Sequence, residues 1–370
     1  MSKRNPVPRE LCSRAVVFQS DIPVRTWGDE PPRWADEWFA TPREDLHAQY
    51  CGIVGCEHHY LAISGGGASG AFGAGLLKGW TKNGTRPEFT AVTGISTGAL
   101  AAPFAFLGPD WDHKLEQVYT SFSTKDLVKR TLFSAITSSA LYSTKGLQSV
   151  IARFFDREVM AAVAAEFRDK GRTLTVGTTN LDALRPVIWN IGRIAASGHP
   201  GALDLIHQVL LASASIPIAF PPVRIEVEVD GRRYDEMHVD GGASAQIFLY
   251  PAGLDWARVV ERLEVQGRPN VYLIRNSRFT PDWKPMKALL MPIALRTMQS
   301  LIRTQGIGDT FRVYLAAQRD GLDFHLASVP ADFDQQPKEQ FDPGYMRQLF
   351  DLGYGLAKSG YPWKDAPHEF

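Results

Sequence analysis

Cysteine is scarce: Cys12, Cys51 and Cys56 are the only three in 370 residues. An odd count leaves at least one thiol outside any internal disulfide, and so few exclude a fold stapled by a disulfide framework. Cys51 and Cys56, followed by His58 and His59, match no standard zinc-ligand spacing. They read as small buried thiols ahead of a strand that begins at Tyr60, with a Cys51–Cys56 disulfide open in an oxidising compartment. No metal and no cofactor is expected. An excess of one charge is also missing. Lys+Arg and Asp+Glu balance at 40 each, so nothing marks the chain for a polyanionic partner, and nucleic-acid binding is not expected. No apolar run approaches the roughly eighteen residues of a membrane span. Met1 to Glu10 is polar, carries prolines and lacks the apolar core of a signal peptide. The sequence as written fits a cytoplasmic protein, or one exported with a leader not present here. Oligomeric state leaves no mark in it.

What is abundant is ordinary globular material. Hydrophobic residues make up 44% and charged residues 22%, enough to bury a core in one large domain or two small ones. Residues 1–57 are rich in proline and charge and carry Trp27, Trp34 and Trp38. They read as a mostly irregular N-terminal extension that drapes over the domain and buries its indoles. From residue 58 to 370 the pattern alternates. Strands are expected at 60–64, 90–94, 174–178, 187–190 and 270–274, a hairpin at 223–234 around Asp230-Gly231, and a late strand at 322–327. Helices are expected at 71–82, 99–107, 113–122, 145–169 with a break near Asp156, 203–214, 254–266, 285–320 and 343–358. Strands separated by helices predict an α/β fold, a three-layer α/β/α domain with a mainly parallel central sheet, completed by C-terminal helices. The Ser/Thr-rich stretch 121–144 fits a mobile cap and ordinary surface packing equally well.

Chemistry concentrates in a few short motifs. Thr90 to Thr93 is β-prone, Ala99 to Leu107 is helix-prone, and between them stands Gly94-Ile95-Ser96-Thr97-Gly98. Strand, G-x-S-x-G and helix describe a nucleophile elbow, in which a sharp turn lifts the Ser96 hydroxyl clear of the sheet. Gly94 and Gly98 flank it because side chains there would collide where strand and helix cross. A second cluster, Gly65-Gly66-Gly67-Ala68-Ser69-Gly70, lies between the first strand and its helix. Backbone amides without a Cβ in the way bind phosphates or oxyanions. The same glycines match a dinucleotide fingerprint, but the acidic residue at the right spacing, Glu88, precedes the second strand instead of ending it. A Walker loop is excluded because no Gly-Lys-Ser/Thr follows. An oxyanion hole formed by Gly65, Gly66, Gly67 and Ala68 beside Ser96 explains both loops at once.

The serine needs a base. None of the nine histidines lies in a motif that marks a triad histidine. His325 and His368 come late enough for a Ser-His-Asp esterase of α/β-hydrolase type, in unremarkable surroundings. Met237-His238-Val239-Asp240-Gly241-Gly242 ends a strand with an aspartate and two glycines that allow close backbone approach; Asp-Gly is also a common turn pair. In order and spacing over about residues 58 to 250, the glycine cluster, the Ser96 pentapeptide and Asp240-Gly241-Gly242 resemble the patatin-like phospholipases. So do Ala212-Ser213-Ala214-Ser215-Ile216-Pro217 with Phe220-Pro221-Pro222, and Thr179-Asn180-Leu181-Asp182 with Arg185-Pro186-Val187. The resemblance implies a Ser–Asp dyad, Ser96 as nucleophile and Asp240 as base, without a catalytic histidine. It also implies hydrolysis of lipid acyl esters. Any membrane contact is expected only as transient docking at the surface. Ser69 stands where the family usually carries Arg or Lys, which leaves phospholipid and neutral ester both open as substrates. A dormant, lipid-binding relative of the same shape is the non-catalytic alternative. A dyad aspartate is a useful base only if burial raises its pKa, so Asp240 is expected partly buried and within reach of Ser96.

Overall fold

The computed structural model describes residues 4–18, 23–127, 129–130, 142–251, 253–281, 283 and 285–367. After a short strand β1 (Arg25–Trp27) and two small helices, α1 (Ala35–Ala40) and α2 (Arg43–Gln49), strands and helices alternate. The first units are β2 (His59–Ile63), α3 (Gly70–Asn83), β3 (Ala91–Ile95), α4 (Thr97–Leu107), α5 (Asp112–Thr120) and α6 (Thr124–Leu127). A ribbon of β4 (Lys129–Arg130) and β5 (Tyr142–Ser143) precedes α7 (Lys145–Phe154), α8 (Arg157–Lys170), β6 (Thr173–Asn180) and β7 (Arg185–Asn190). Next come α9 (Ile191–Ala196), α10 (Ala202–Ser213), β8 (Val223–Val229) and β9 (Arg232–Asp240). The chain closes with α11 (Trp256–Arg262), β10 (Asn270–Arg275), α12 (Leu290–Asp320), β11 (Asp323–Ser328) and α13 (Pro343–Lys358).

Local chemistry accounts for several of these boundaries. Asp156 splits the long 145–169 stretch by capping α8, its carboxylate accepting the Val159 N–H at 3.0 Å. Gly84 and Gly171 end α3 and α8 in the left-handed conformation. Asp230 and Gly231 both take positive φ, which suits the tight turn of the β8–β9 hairpin.

The sheet runs β1-β7-β6-β3-β2-β10-β11. Its centre, β6-β3-β2-β10-β11, is parallel, and β7, β1 and the β8–β9 hairpin add antiparallel strands at the β6 side. Central strands are buried on both faces, the signature of a parallel sheet covered by helices. On β2, Leu61 and Ile63 face a core shared with α3, α4 and α13, while Tyr60 and Ala62 face a second core with Val313 and Ala317 of α12. That alternation sets the three layers. The α13 helix packs backbone-close on α3, since a Cβ at Gly75 would come within 2.0 Å of the Phe350 carbonyl oxygen.

Three expectations need correction. The region before residue 58 has more irregular chain than regular structure, with the short elements α1, α2 and β1 set in it; β1 joins the main sheet beside β7, too short a strand to announce itself by periodicity. Trp27 is buried there, but Trp34 and Trp38 are only partly so. The helices expected at 254–266 and from 285 are shorter, Trp256–Arg262 and from Leu290, and α9 was not anticipated. Cys51 and Cys56 are exposed, and all three cysteines are free thiols. Of the stretch 121–144, residues 128 and 131–141 lie outside the described residues. No helix among the described residues is long and apolar enough to cross a membrane.

Strand β1 also delivers a charge to the interior. The Arg25 guanidinium pairs with Glu236 of β9, with 8% and 2% of the two side chains exposed, and lies over the Trp189 ring at 5.5 Å. Trp189 donates its indole N–H to the Thr178 hydroxyl at 2.8 Å. The Glu236 carboxylate only accepts, so the His238 N–H sits on Nε2 and donates to it at 3.0 Å, and Nδ1 of the neutral ring accepts the Thr178 hydroxyl at 3.0 Å. Burial would raise the Glu236 pKa, but Arg25 and His238 outweigh it and hold it at about 2. Arg25→Ala leaves that carboxylate buried without its cation, an expected loss of about 3–5 kcal/mol measurable by urea unfolding. A double change, Arg25→Met with Glu236→Gln, should recover most of it.

Candidate active site

Two strands meet head to head on a third. Strand β3 runs parallel to β6 and ends with Ile95 opposite Gly177. Strand β9 runs antiparallel to the end of the same strand and arrives with Asp240 opposite Thr178. Ser96 and Asp240, 144 positions apart in sequence, are thus set at adjacent registers of β6. Both side chains are buried, with residue exposures of 6% and 4%.

Ser96 takes φ 55° and ψ −123°, a sparsely populated conformation that costs about 1–3 kcal/mol and persists only where the surroundings enforce it. The enforcement is visible. A Cβ at Gly94 would lie 2.4 Å from the Gly98 carbonyl oxygen, and one at Gly98 would lie 2.3 Å from that of Ile63. Strand, elbow and helix cross at backbone contact. The Ser96 N–H is held by the Ser213 hydroxyl at 3.0 Å, which in turn donates to the Gly177 carbonyl at 2.7 Å. Helix α4 begins at Thr97, so its N-terminus, with its partial positive charge, adjoins the serine.

Asp240 is anchored from the same segment: its N–H donates to the Ser215 carbonyl at 3.0 Å. Oδ1 accepts the Gly242 N–H at 2.8 Å. Oδ2 is buried and makes no hydrogen bond of normal geometry. Burial drives the Asp240 pKa up to about 7, against the opposing pull of the Ser96 hydroxyl and the Gly242 amide. The hydroxyl is therefore near enough to act on the carboxyl although the resting pair is loosely aligned. Gly241 permits the approach, for a Cβ there would come within 2.5 Å of the Gly177 carbonyl oxygen. At Gly242 a Cβ would strike Gln246 Nε2 at 2.2 Å.

The glycine loop lies against this pair. A Cβ on Gly65 would lie 3.3 Å from Ser96 Cβ. The Gly65 N–H is already donated to the Gln246 carbonyl at 3.1 Å, so among the four loop residues it is engaged. The amides of Gly66, Gly67 and Ala68 meet no acceptor among the described residues. Gly66 has φ 154°, and a Cβ there would lie 2.4 Å from the Asn276 carbonyl oxygen. Asn276, at the end of β10, braces the loop: its N–H donates to the Ser64 hydroxyl at 2.8 Å and its Nδ2 to the Ser64 carbonyl at 3.0 Å, while Oδ1 accepts the Gly73 N–H at 3.1 Å. Gln246 ties loop to base, donating Nε2 to the Gly242 carbonyl at 3.0 Å. Neither Asn276 nor Gln246 was singled out from sequence. The position just past a parallel strand was the available signal for Asn276; nothing local marked Gln246. Ser69 meets the Tyr345 hydroxyl of α13 at 3.1 Å, a neutral tie.

The other candidates stand apart. His325 is in β11, three strands from β3, stacked on Tyr272 at 4.7 Å and bonded through Nε2 to Asn270 Oδ1 at 2.9 Å. It is a packing residue and no partner for Ser96, which removes its candidacy as a triad base; His368 lies outside the described residues. Both nitrogens of His238 are spent on Thr178 and Glu236. Glu88 pairs with Lys170 and Arg172 before β3, at the end of the sheet away from the glycine loop. Among the described residues no group of three or more His, Cys, Asp or Glu is placed to hold a metal ion.

The chain matches the sequence profile of patatin-like phospholipase over residues 61–252. Among solved structures it is similar to VipD from Legionella pneumophila, at 13% identity and a TM-score of 0.38, over 80% of this chain and 67% of that one. It is also similar to the type III effector protein ExoU, at 11% identity and a TM-score of 0.20, over 82% of this chain and 53% of that one. No curated protein matches it. The profile spans more than half of the chain and takes in the elbow, the glycine loop and the Asp240 turn, and the protein is accordingly a member of the patatin-like phospholipase family, a family of lipid acyl hydrolases.

Proposed function

We propose that the protein is a serine acyl hydrolase that cleaves carboxylic esters of lipids through a Ser96–Asp240 dyad. One observation carries the reading: Asp240 is buried against Ser96, with a pKa of about 7 and one carboxyl oxygen otherwise unpartnered. A base with that pKa is matched to neutral pH. Asp240 takes the hydroxyl proton as Ser96 Oγ attacks the ester carbonyl carbon. The negative charge that builds on the carbonyl oxygen is met by the amides of Gly66, Gly67 and Ala68, where one well-aimed donor contributes about 2.7–4 kcal/mol. Protonated Asp240 then gives its proton to the departing alcohol, leaving an acyl group on Ser96. Water, deprotonated by the same carboxylate, then attacks the acyl carbon; the bond to Ser96 Oγ breaks, Oγ takes the proton back from Asp240, and the acid leaves. Gly94, Gly98, Gly241 and Gly242 hold the backbones close enough for this transfer. Residues 58–370 form the catalytic unit in this reading.

The test is a panel of p-nitrophenyl esters and phospholipids, run on wild type and Ser96→Ala, with labelling by a fluorophosphonate probe. Turnover and labelling that both vanish in Ser96→Ala support Ser96 as the nucleophile, and loss of turnover in Asp240→Asn supports the dyad. A wild-type protein that neither labels nor turns over any ester is the dormant, lipid-binding alternative. Ser69 in the loop and its tie to Tyr345 favour neutral esters over phospholipids, and the panel reads that preference directly.

A further inference from the structure

The large apolar side chains that face solvent are gathered, not scattered. Val16, Leu184 and Leu315 stand apart, but Trp283, Met286, Leu289, Leu290, Met291 and Ile293 follow one another into the start of α12, with Leu301 further along. Trp283 is 88% exposed and Leu290 82%. Single exposed apolar residues need no explanation; a contiguous patch does. Charge in the same stretch is one-sided. Between Asp282 and Asp309 there is no Asp or Glu, while Lys284, Lys287, Arg296 and Arg303 fall within that span, in a chain whose overall charge is zero; Arg303 donates to the Phe279 carbonyl. The other half of α12 is seated in the protein. Gly306, Asp309, Val313 and Ala317 are buried, and Asp309 Oδ2 accepts at 2.6 Å the N–H of Gln246, the residue that ties the glycine loop to the Asp240 turn. From Gly306 back to Leu290 the helix reaches about 24 Å at its usual rise per residue.

We infer that residues 283–301 dock the protein on an anionic lipid bilayer, the apolar side chains entering the headgroup region and the cations meeting anionic headgroups. The inference rests on the reading of the protein as a lipid hydrolase, whose substrate is met at a surface. Trp with Leu, Met, Lys and Arg is the composition of interfacial anchors, and the missing acids remove repulsion from a negative surface. A second copy packed on the same patch would set two cationic segments against each other, which disfavours self-association.

Flotation with vesicles tests this, using Ser96→Ala so that lipid is not consumed. The protein should float with phosphatidylcholine vesicles containing phosphatidylglycerol, less with phosphatidylcholine alone, and less as salt rises. Trp283→Ala with Leu290→Ser and Leu301→Ser should cut the bound fraction about tenfold or more, and Lys287→Glu should weaken it further. In the Ser96 background the same changes should leave Tm and turnover of a soluble p-nitrophenyl ester unchanged. Equal flotation of triple variant and parent, equal binding to both vesicle types, or a dimer that the triple variant dissolves would each overturn the inference. Ester turnover without flotation defeats the docking surface alone; flotation without any ester turnover defeats the hydrolase reading alone.

Discussion

Ser96→Ala and Asp240→Asn will each lower turnover of every accepted ester by about 10⁴-fold or more, because nucleophile and base act as one unit and neither works alone. The double variant will lose little beyond either single one, and that non-additivity is the diagnostic result. His238→Gln and His325→Ala will keep activity within about tenfold of wild type if they fold, since neither histidine reaches Ser96. Activity that survives in Asp240→Asn but disappears in a histidine variant would assign the base elsewhere. The asparagine substitution is a fair probe: its Oδ1 can still accept the Gly242 N–H, so the turn is kept while the proton acceptor is lost.

The second large effect follows from the Asp240 pKa of about 7. For the free enzyme, kcat/KM will rise about tenfold per pH unit through the acid range and level off above 7, as the carboxylate form appears. Stability will move the other way. Burial favours the protonated form in the folded protein, so the folded state holds a proton between the carboxyl's ordinary range near 3.8 and 7 that the unfolded chain has released. Stability contributed by that proton is complete below the unfolded pKa and is lost as pH rises through 7. At about 1.4 kcal/mol per pH unit the total is roughly 4 kcal/mol at most. Asp240→Asn should therefore raise Tm by several degrees at pH 8 and leave it unchanged at pH 4. Thermal melting of the two proteins across that range decides the matter: equal Tm values at both ends would mean that the carboxyl is not desolvated.

These outcomes were legible in the sequence to different depths. The elbow could be read because its constraint is local: Gly94 and Gly98 are needed where strand and helix touch, and no other residue fits. The α/β alternation was readable because β2, β3 and β10 are short apolar runs bounded by helical periodicity. The Asp240 turn was ambiguous alone, since Asp230-Gly231 and Asp320-Gly321 look the same on paper; what separates them is pairing with β6, a contact between residues far apart in the chain. Ser213 illustrates the gap. Its segment was noticed as a motif, but the bond from its hydroxyl to the Ser96 amide exists only once α10 packs beneath β6. Gln246 and Asn276 act through backbone contacts to distant glycines, and nothing in their neighbours announces that. The Arg25–Glu236 pair was invisible for the same reason, with its partners 211 positions apart.

The head-to-head meeting of β3 and β9 on β6 has a consequence for how such a chain can vary. Because Gly177 and Thr178 dictate where both partners stop, the distance between hydroxyl and carboxyl is indifferent to the length of chain that loops out between them. Segments between α4 and β6, or between β7 and β9, can grow, shrink or be exchanged to reshape what is admitted. A single residue gained or lost inside β6 itself would part the two groups and flip one of them out of register.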